Sequence, residues 1–161
     1  MDVARPLGTD STKDGRGVAV ADLNGDGKLD VVINNNNAAP TIYLNTLRKT
    51  GNWLQLDLVG TISNRDAVGA RVKVTVDAGG KGVTMLRQVE AGSGYASQSE
   101  STLHFGLGSA RKIDKVEIVW PSGSRQDFQG AELDGLVNRR VTVREDDGIL
   151  KGPSAKWRAK Q

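Results

Sequence analysis

The 161-residue chain contains no cysteine, which excludes disulfides, thiolate metal sites and thiol nucleophiles. It has a single histidine, His104, so no imidazole cluster can form within one copy. Its longest apolar stretches fall well short of the roughly 20 residues that span a bilayer as a helix. The start, Met1-Asp2-Val3-Ala4-Arg5-Pro6, lacks the apolar stretch of a secretory signal. That leaves a cytoplasmic protein, or a chain that begins partway through a longer one. Aromatic residues make up only 4%. Helical periodicity is also missing, because 20 glycines interrupt nearly every window, and the best, 131–138, is broken at Gly135.

Charge of one sign is scarce on the body of the chain. The net charge is +3, yet residues 151–161 hold Lys151, Lys156, Arg158 and Lys160 without an acid. Without those four, residues 1–150 stand at −1. A nucleic-acid groove needs basic residues clustered on the folded body, so no nucleic-acid partner is expected. The hydrophobic fraction of 37% leaves out glycine, and with glycine counted it is that of an ordinary globular domain. A chain of this length buries roughly 70% of the surface its unfolded form exposes, enough for a core without staples.

Period-2 alternation is plentiful. Leu54, Leu56 and Leu58 alternate with Gln55 and Asp57, and Val72, Val74 and Val76 with Arg71, Lys73 and Thr75. Leu103, Phe105 and Leu107 form a third apolar set, Val116, Ile118 and Trp120 a fourth, and Val141 with Val143 a short fifth. Turn clusters separate them at 77–80, 92–94 and 121–123. Short strands with one apolar face each predict two antiparallel sheets packed face to face. Residues 83–90 alternate imperfectly, because Arg87 falls on the face of Val83, Met85 and Val89; a bulge would explain it. After Glu145 the apolar pattern stops. Residues 146–161 therefore read as a basic, poorly ordered tail with Trp157 stranded in it.

The first fifty residues follow another plan. A short strand over 17–21 leads into Asp22-Leu23-Asn24-Gly25-Asp26-Gly27-Lys28-Leu29-Asp30, and the apolar strand Val31-Val32-Ile33 follows. A turn-rich loop and a third strand at 41–44 complete the segment. Three short strands do not make a stable domain alone. They must pack on the sandwich or belong to a larger array of sheets.

Residues 22–30 place oxygen-bearing side chains at positions 1, 3, 5 and 9, namely Asp22, Asn24, Asp26 and Asp30. A hard cation such as Ca²⁺ takes six to eight oxygens, and a tight loop can supply them from alternate residues. Gly27 permits the reversal that closes the loop, and Lys28 would contribute its carbonyl while its side chain points to solvent. An EF-hand needs an acid at position 12, where this chain has Ile33 in a strand. Without a metal the same residues make an Asx-rich hairpin loop. The full D-x-N-x-D-G-x-x-D pattern between two strands is the more specific signal.

The remaining signals are weaker. His104 alternates outward beside Leu103 and Phe105 and reads as a surface residue. Gly106-Leu107-Gly108 lacks the third glycine and the helix of a dinucleotide fingerprint. No Walker sequence and no G-x-S-x-G elbow occurs, so the chain is read as non-enzymatic. Trp53, Tyr95 and Phe128 could line a sugar platform, whereas Trp120 faces inward. Residues 92–99 are either a mobile connection or a recognition loop displaying Ser93, Tyr95, Ser97 and Gln98.

Several motifs together carry a family resemblance. They are Asn52-Trp53-Leu54, Leu58-Val59-Gly60-Thr61, Ser63-Asn64-Arg65-Asp66 and Val68-Gly69-Ala70-Arg71-Val72, then Gly92-Ser93-Gly94-Tyr95 with Ser97-Gln98-Ser99. Leu103–Gly108, and Val116-Glu117 through Val119-Trp120-Pro121-Ser122-Gly123, complete the series. Over about residues 52–128 the chain resembles the ASPIC/UnbV domain. Residues 15–45 resemble one FG-GAP/VCBS-type β-propeller blade, whose calcium loop would fall at Asp22, Asn24, Asp26, Lys28 and Asp30. Such blades precede the ASPIC/UnbV domain in cartilage acidic protein-like secreted proteins. The resemblance implies the C-terminal part of a larger secreted, periplasmic or cell-surface protein whose upstream blades are missing here. Asn at position 3 removes one carboxylate from the loop.

The expectation is an all-β chain, an antiparallel β-sandwich with an N-terminal partial β-propeller-type blade. Its parts are a blade over 1–51, a sandwich over 52–145 and a tail over 146–161. Its function would be that of a calcium-stabilised binding or adhesion module for an unknown protein or glycan. The alternative is a carbohydrate-binding accessory domain of an extracellular enzyme.

Overall fold

The computed structural model describes residues 4, 5, 8–48, 50–92 and 94–150. The chain is nearly all β and forms two compact units. One is Met1–Arg48 together with Gly92–Glu100, and the other is Lys49–Ala91 with Ser101–Gln161.

The first unit holds a three-stranded antiparallel sheet of β1 (Gly15–Ala21), β2 (Asp30–Asn35) and β3 (Ala38–Tyr43), in that order. β-Branched residues at Val18, Val20, Val31, Val32 and Ile33 favour the pleated backbone. The pair Ala21↔Asp30 closes the sheet directly onto the acidic loop. Val18 stands opposite Ile33 and Val32 opposite Ile42, so apolar side chains occupy both faces of this sheet. None of the strands' aliphatic side chains is fully buried; Val18 is 51% exposed and Ile42 56%.

The second unit is the sandwich. One sheet runs β11-β10-β4-β7, built from β4 (Asn52–Val59), β7 (Leu103–Gly108), β10 (Arg139–Arg144) and β11 (Gly148–Leu150). The other runs β6-β5-β8-β9, from β5 (Arg71–Asp77), β6 (Gly82–Gln88), β8 (Lys115–Val119) and β9 (Arg125–Gln129). Their apolar faces share one core in which Leu54, Leu56, Leu58, Val72, Val74, Phe105, Ile118 and Trp120 are buried. Each such side chain contributes about 1.5–3 kcal/mol by leaving water. Trp120 keeps its polar edge satisfied by donating from Nε1 to Gln126 Oε1 at 2.7 Å.

Three details differ from the sequence expectation. The pair β4–β10 is parallel, so the first sheet is mixed. Residues 60–138, which include all four strands of the opposite sheet, separate these strands, and the chain re-enters in the same direction. β6 carries no bulge and pairs in unbroken register with β5. As an edge strand it is mostly exposed, so Arg87 can share a face with Met85 and still reach water. Residues 146–150, read as the start of a tail, include β11, and Ile149 packs on the core. The rest of that tail, with Trp157, lies outside the described residues. The weak helical window yields only a short 3₁₀ turn, Gly130–Leu133.

Candidate functional site

The acidic loop joins two hydrogen-bonded strands, and its own carboxylates fold it. Asp22 accepts three backbone N–H groups: Gly25 at 2.8 Å and Asp26 at 3.1 Å on Oδ1, and Gly27 at 2.8 Å on Oδ2. Gly25 and Gly27 sit at φ 73° and 81°, where a side chain would be strained. Asp30 accepts Leu23 N at 3.0 Å and Asn45 N at 2.7 Å, which ties the loop to the segment after β3. Both Asp22 and Asp30 are buried.

Asp26 differs from these two, being open to solvent. It accepts Lys28 N at 2.9 Å and Asn24 Nδ2 at 3.0 Å, and its Oδ2 meets the Lys28 ammonium at 2.8 Å. The Lys28 ammonium, hydrogen-bonded to Asp26, holds its carboxyl below the usual carboxylate range. The Lys28 side chain therefore lies against a carboxylate rather than pointing to solvent, because Asp26 is the opposite charge within its reach. Among the described residues, no three His, Cys, Asp or Glu side chains stand close enough together to hold a metal ion. The donor set is all oxygen: three carboxylates, the Asn24 amide and the Lys28 carbonyl. That chemistry fits a hard cation.

The loop after β6 belongs to the same unit. Gly94 and Ser97 form an isolated bridge, with Ala96 at φ 49° between them. Glu100 N donates to Val20 O at 3.2 Å and Val20 N to Ser99 Oγ at 3.1 Å, so 97–100 runs along the free edge of β1. Glu100 Oε1 then accepts Asp22 N at 2.9 Å. The approach is close enough that a Cβ on Gly17 would stand 2.9 Å from Ala96 O and 3.1 Å from Tyr95 O.

The candidate recognition residues fare differently on this base. Tyr95 is 80% exposed and Gln98 is exposed. Ser97 turns inward, with its Oγ buried and without a hydrogen-bond partner among the described residues. Ser93 lies outside the described residues. Phe128 is in the core and Trp53 is half-buried against His104, their rings 6.4 Å apart and 15° from parallel. These two do not form an open sugar platform.

Three participants escaped the sequence reading. Glu100 and Ser99 reach the acidic loop and β1 from nearly eighty residues away, and no local spacing announces them. The third is Glu145, 1% exposed at the end of β10. Its Oε2 accepts Thr61 N at 3.0 Å, Ile62 N at 3.0 Å and Ser63 N at 2.7 Å. Its Oε1 accepts the hydroxyls of Ser63 at 2.9 Å, Ser122 at 2.6 Å and Ser124 at 3.1 Å. Burial would push this carboxyl up, but the hydrogen bonds outweigh it and pull it down to about 2. The other buried acid of the sandwich, Asp57, is gripped by Arg140 through Nε at 2.8 Å and Nη2 at 3.1 Å, and by Thr102 Oγ1 at 2.6 Å.

Comparison with known proteins agrees with this architecture. Residues 60–149 match the family model described as ASPIC and UnbV, and residues 15–44 match the FG-GAP repeat. Cartilage acidic protein 1 of Xenopus tropicalis is 32% identical over 152 residues, covering 89% of this chain and 22% of that protein. The proteins of the same name from Mus musculus and Homo sapiens are each 30% identical over 140 residues, covering 85% of this chain and 19% of theirs. The chain spans about a fifth of the length of these curated relatives.

Proposed function

This chain belongs to the ASPIC/UnbV family, and from that premise we propose a non-catalytic, calcium-stabilised extracellular binding or adhesion module. It would form the C-terminal portion of a larger secreted, periplasmic or surface protein. The observation that carries the reading is the coupling of two loops on one strand. The acidic loop leaves the end of β1, and the loop displaying Tyr95 lies along the same strand, with Glu100 reaching Asp22. An ion held by Asp22, Asn24, Asp26, Asp30 and the Lys28 carbonyl would fix the strand that seats the recognition loop. Asp26 would exchange the Lys28 ammonium for the ion.

Two further observations support the rest of the proposal. The two-faced apolar sheet of the first unit suits a blade flanked by further blades, and the aligned part of this chain makes up only 19–22% of the relatives. The buried acids Asp57 and Glu145 are each engaged in structural hydrogen bonds, which leaves them poor candidates for acid–base chemistry. Tyr95 and Gln98 offer an exposed aromatic and an amide to a protein or glycan partner.

A thermal melt in millimolar Ca²⁺, in Mg²⁺ and in chelator tests the metal, with Asp26→Ala alongside. Asp26 is the variant of choice because, unlike Asp22 and Asp30, it is exposed and does not hold the loop backbone to its flanks. A ligand at 100 times its dissociation constant adds about 2.7 kcal/mol, enough to raise the midpoint by several degrees. The expected result is a Ca²⁺-specific rise that Asp26→Ala lacks. Equal midpoints in all three conditions would refute the calcium reading and leave residues 22–30 as an Asx-stabilised hairpin.

A further inference from the structure

The outer face of the sheet β6-β5-β8-β9 carries an unbalanced set of charges. Register aligns its outward side chains in rows across the strands. Leu86, Lys73, Glu117 and Asp127 form one row, and Gln88, Arg71, Val119 and Arg125 the next. In the first row the acids are served: the Lys115 ammonium, from the row beyond, lies 2.8 Å from Glu117 and 4.0 Å from Asp127. Lys73 adds an attractive field at Glu117 and helps hold its carboxyl below the ordinary range, behind the stronger Lys115 hydrogen bond.

The second row breaks the usual pairing of opposite charges across strands. Arg71 and Arg125 flank apolar Val119 from either side, and among the described residues neither has an ion-pair partner. With neighbouring strands about 4.8 Å apart, their backbones stand roughly 10 Å from each other. Arg71, Lys73 and Arg125 line a groove of about 270 Å³ with Leu86 and Val119 as apolar surface; Glu117 and Asp127 line it too, and it is these two acids that Lys115 serves. Counting Lys115 and, at the far end of β5, Asp77, four cations stand on this face with three carboxylates, and Arg71 and Arg125 are the cations that no carboxylate there meets.

We propose that this groove binds a linear anionic polysaccharide whose sulfate or carboxylate groups engage Arg71 and Arg125. A guanidinium presents two parallel donors that match either group, which a lysine cannot do. The groove is lined from all four strands and so runs across them, a course that suits an extended polymer. The sheet face offers side chains but no backbone donors or acceptors. An acidic peptide would have to leave its own amide groups to water here, whereas a sugar chain has no such row of amides to satisfy. Nothing in the site depends on the acidic loop, so its fate is separate from the calcium reading.

The test is affinity of the full chain for heparin and for hyaluronan, by titration calorimetry and by the salt needed for elution. Arg71→Ala/Arg125→Ala is compared with Lys151→Gln/Lys156→Gln/Arg158→Gln/Lys160→Gln, and the melting temperature of each confirms folding. Both arginines are exposed on the sheet surface, so the double variant is expected to fold. The proposal expects about a tenfold loss of affinity for the bound polymer in the groove variant and at most a twofold loss in the tail variant. Heparin alone would identify sulfate as the group read; binding of both polymers would show that carboxylate suffices. Loss confined to the tail variant, no binding to either polymer, or equal affinity for poly-glutamate would overturn it.

Discussion

Glu145 gives the sharpest quantitative expectation. Its carboxyl titrates at about 2 in the folded chain against an ordinary value of 4.5. Each unit of difference corresponds to about 1.4 kcal/mol, so the ionised carboxylate contributes about 3 kcal/mol to folding. Because the folded value is the lower one, this contribution is complete above about pH 5. It is lost as the pH falls from there toward 2. Glu145→Gln keeps the shape and can still accept from Thr61, Ile62 and Ser63 with its one oxygen, while its amide faces the serine hydroxyls. What disappears is the charge and, with it, the pH dependence.

The assay is urea denaturation followed by tryptophan fluorescence at pH 7, 5 and 3, since Trp53 and Trp120 both report on the sandwich. At pH 7 Glu145→Gln should cost about 3 kcal/mol. By pH 3 the gap to the wild type should narrow to roughly half. Parallel losses in the two proteins between pH 5 and pH 3 would refute the reasoning, as would a cost below about 0.5 kcal/mol at pH 7.

Two further perturbations follow from the same geometry. Arg140→Met leaves the fully buried Asp57 without its guanidinium and should destabilise the sandwich by about 3–5 kcal/mol in urea. Adding Asp57→Asn to it should restore part of that loss, since the uncompensated charge is gone. Gly17→Ala places a Cβ against Ala96 O and Tyr95 O and should lift the 94–99 loop from β1. Hydrogen exchange at Val20 and Glu100 should accelerate at least tenfold, with the fluorescence melt of the sandwich unchanged; protection equal to wild type would show that the loop is not held there.

Much of the fold is legible in the sequence for a simple reason. A strand with one buried face writes its orientation as alternation, and Leu54, Leu56, Leu58, Val72, Val74 and Val76 all point inward as their spacing requires. The nine-residue loop is equally local, because Asp, Asn and Gly reach only a few residues along the chain when they fold a turn. Where the pattern misleads, the cause is a surrounding that spacing does not record. Arg87 suggests a bulge only because alternation says nothing about whether a strand lies at an edge. Spacing alone points Lys28 at solvent, whereas side-chain direction within the loop depends on where Asp26 settles.

The sequence by itself determined the strand faces and the acidic loop between two strands, both of which depend on neighbours within about ten residues. The tertiary structure alone decided the parallel pairing of β4 with β10 and the seating of 97–100 on β1. It alone placed the Ser63–Ser122–Ser124 hydroxyls around Glu145, and Arg71 and Arg125 on either side of Val119. Each of these joins residues tens of positions apart, held by hydrogen bonds and sheet register that no local pattern encodes.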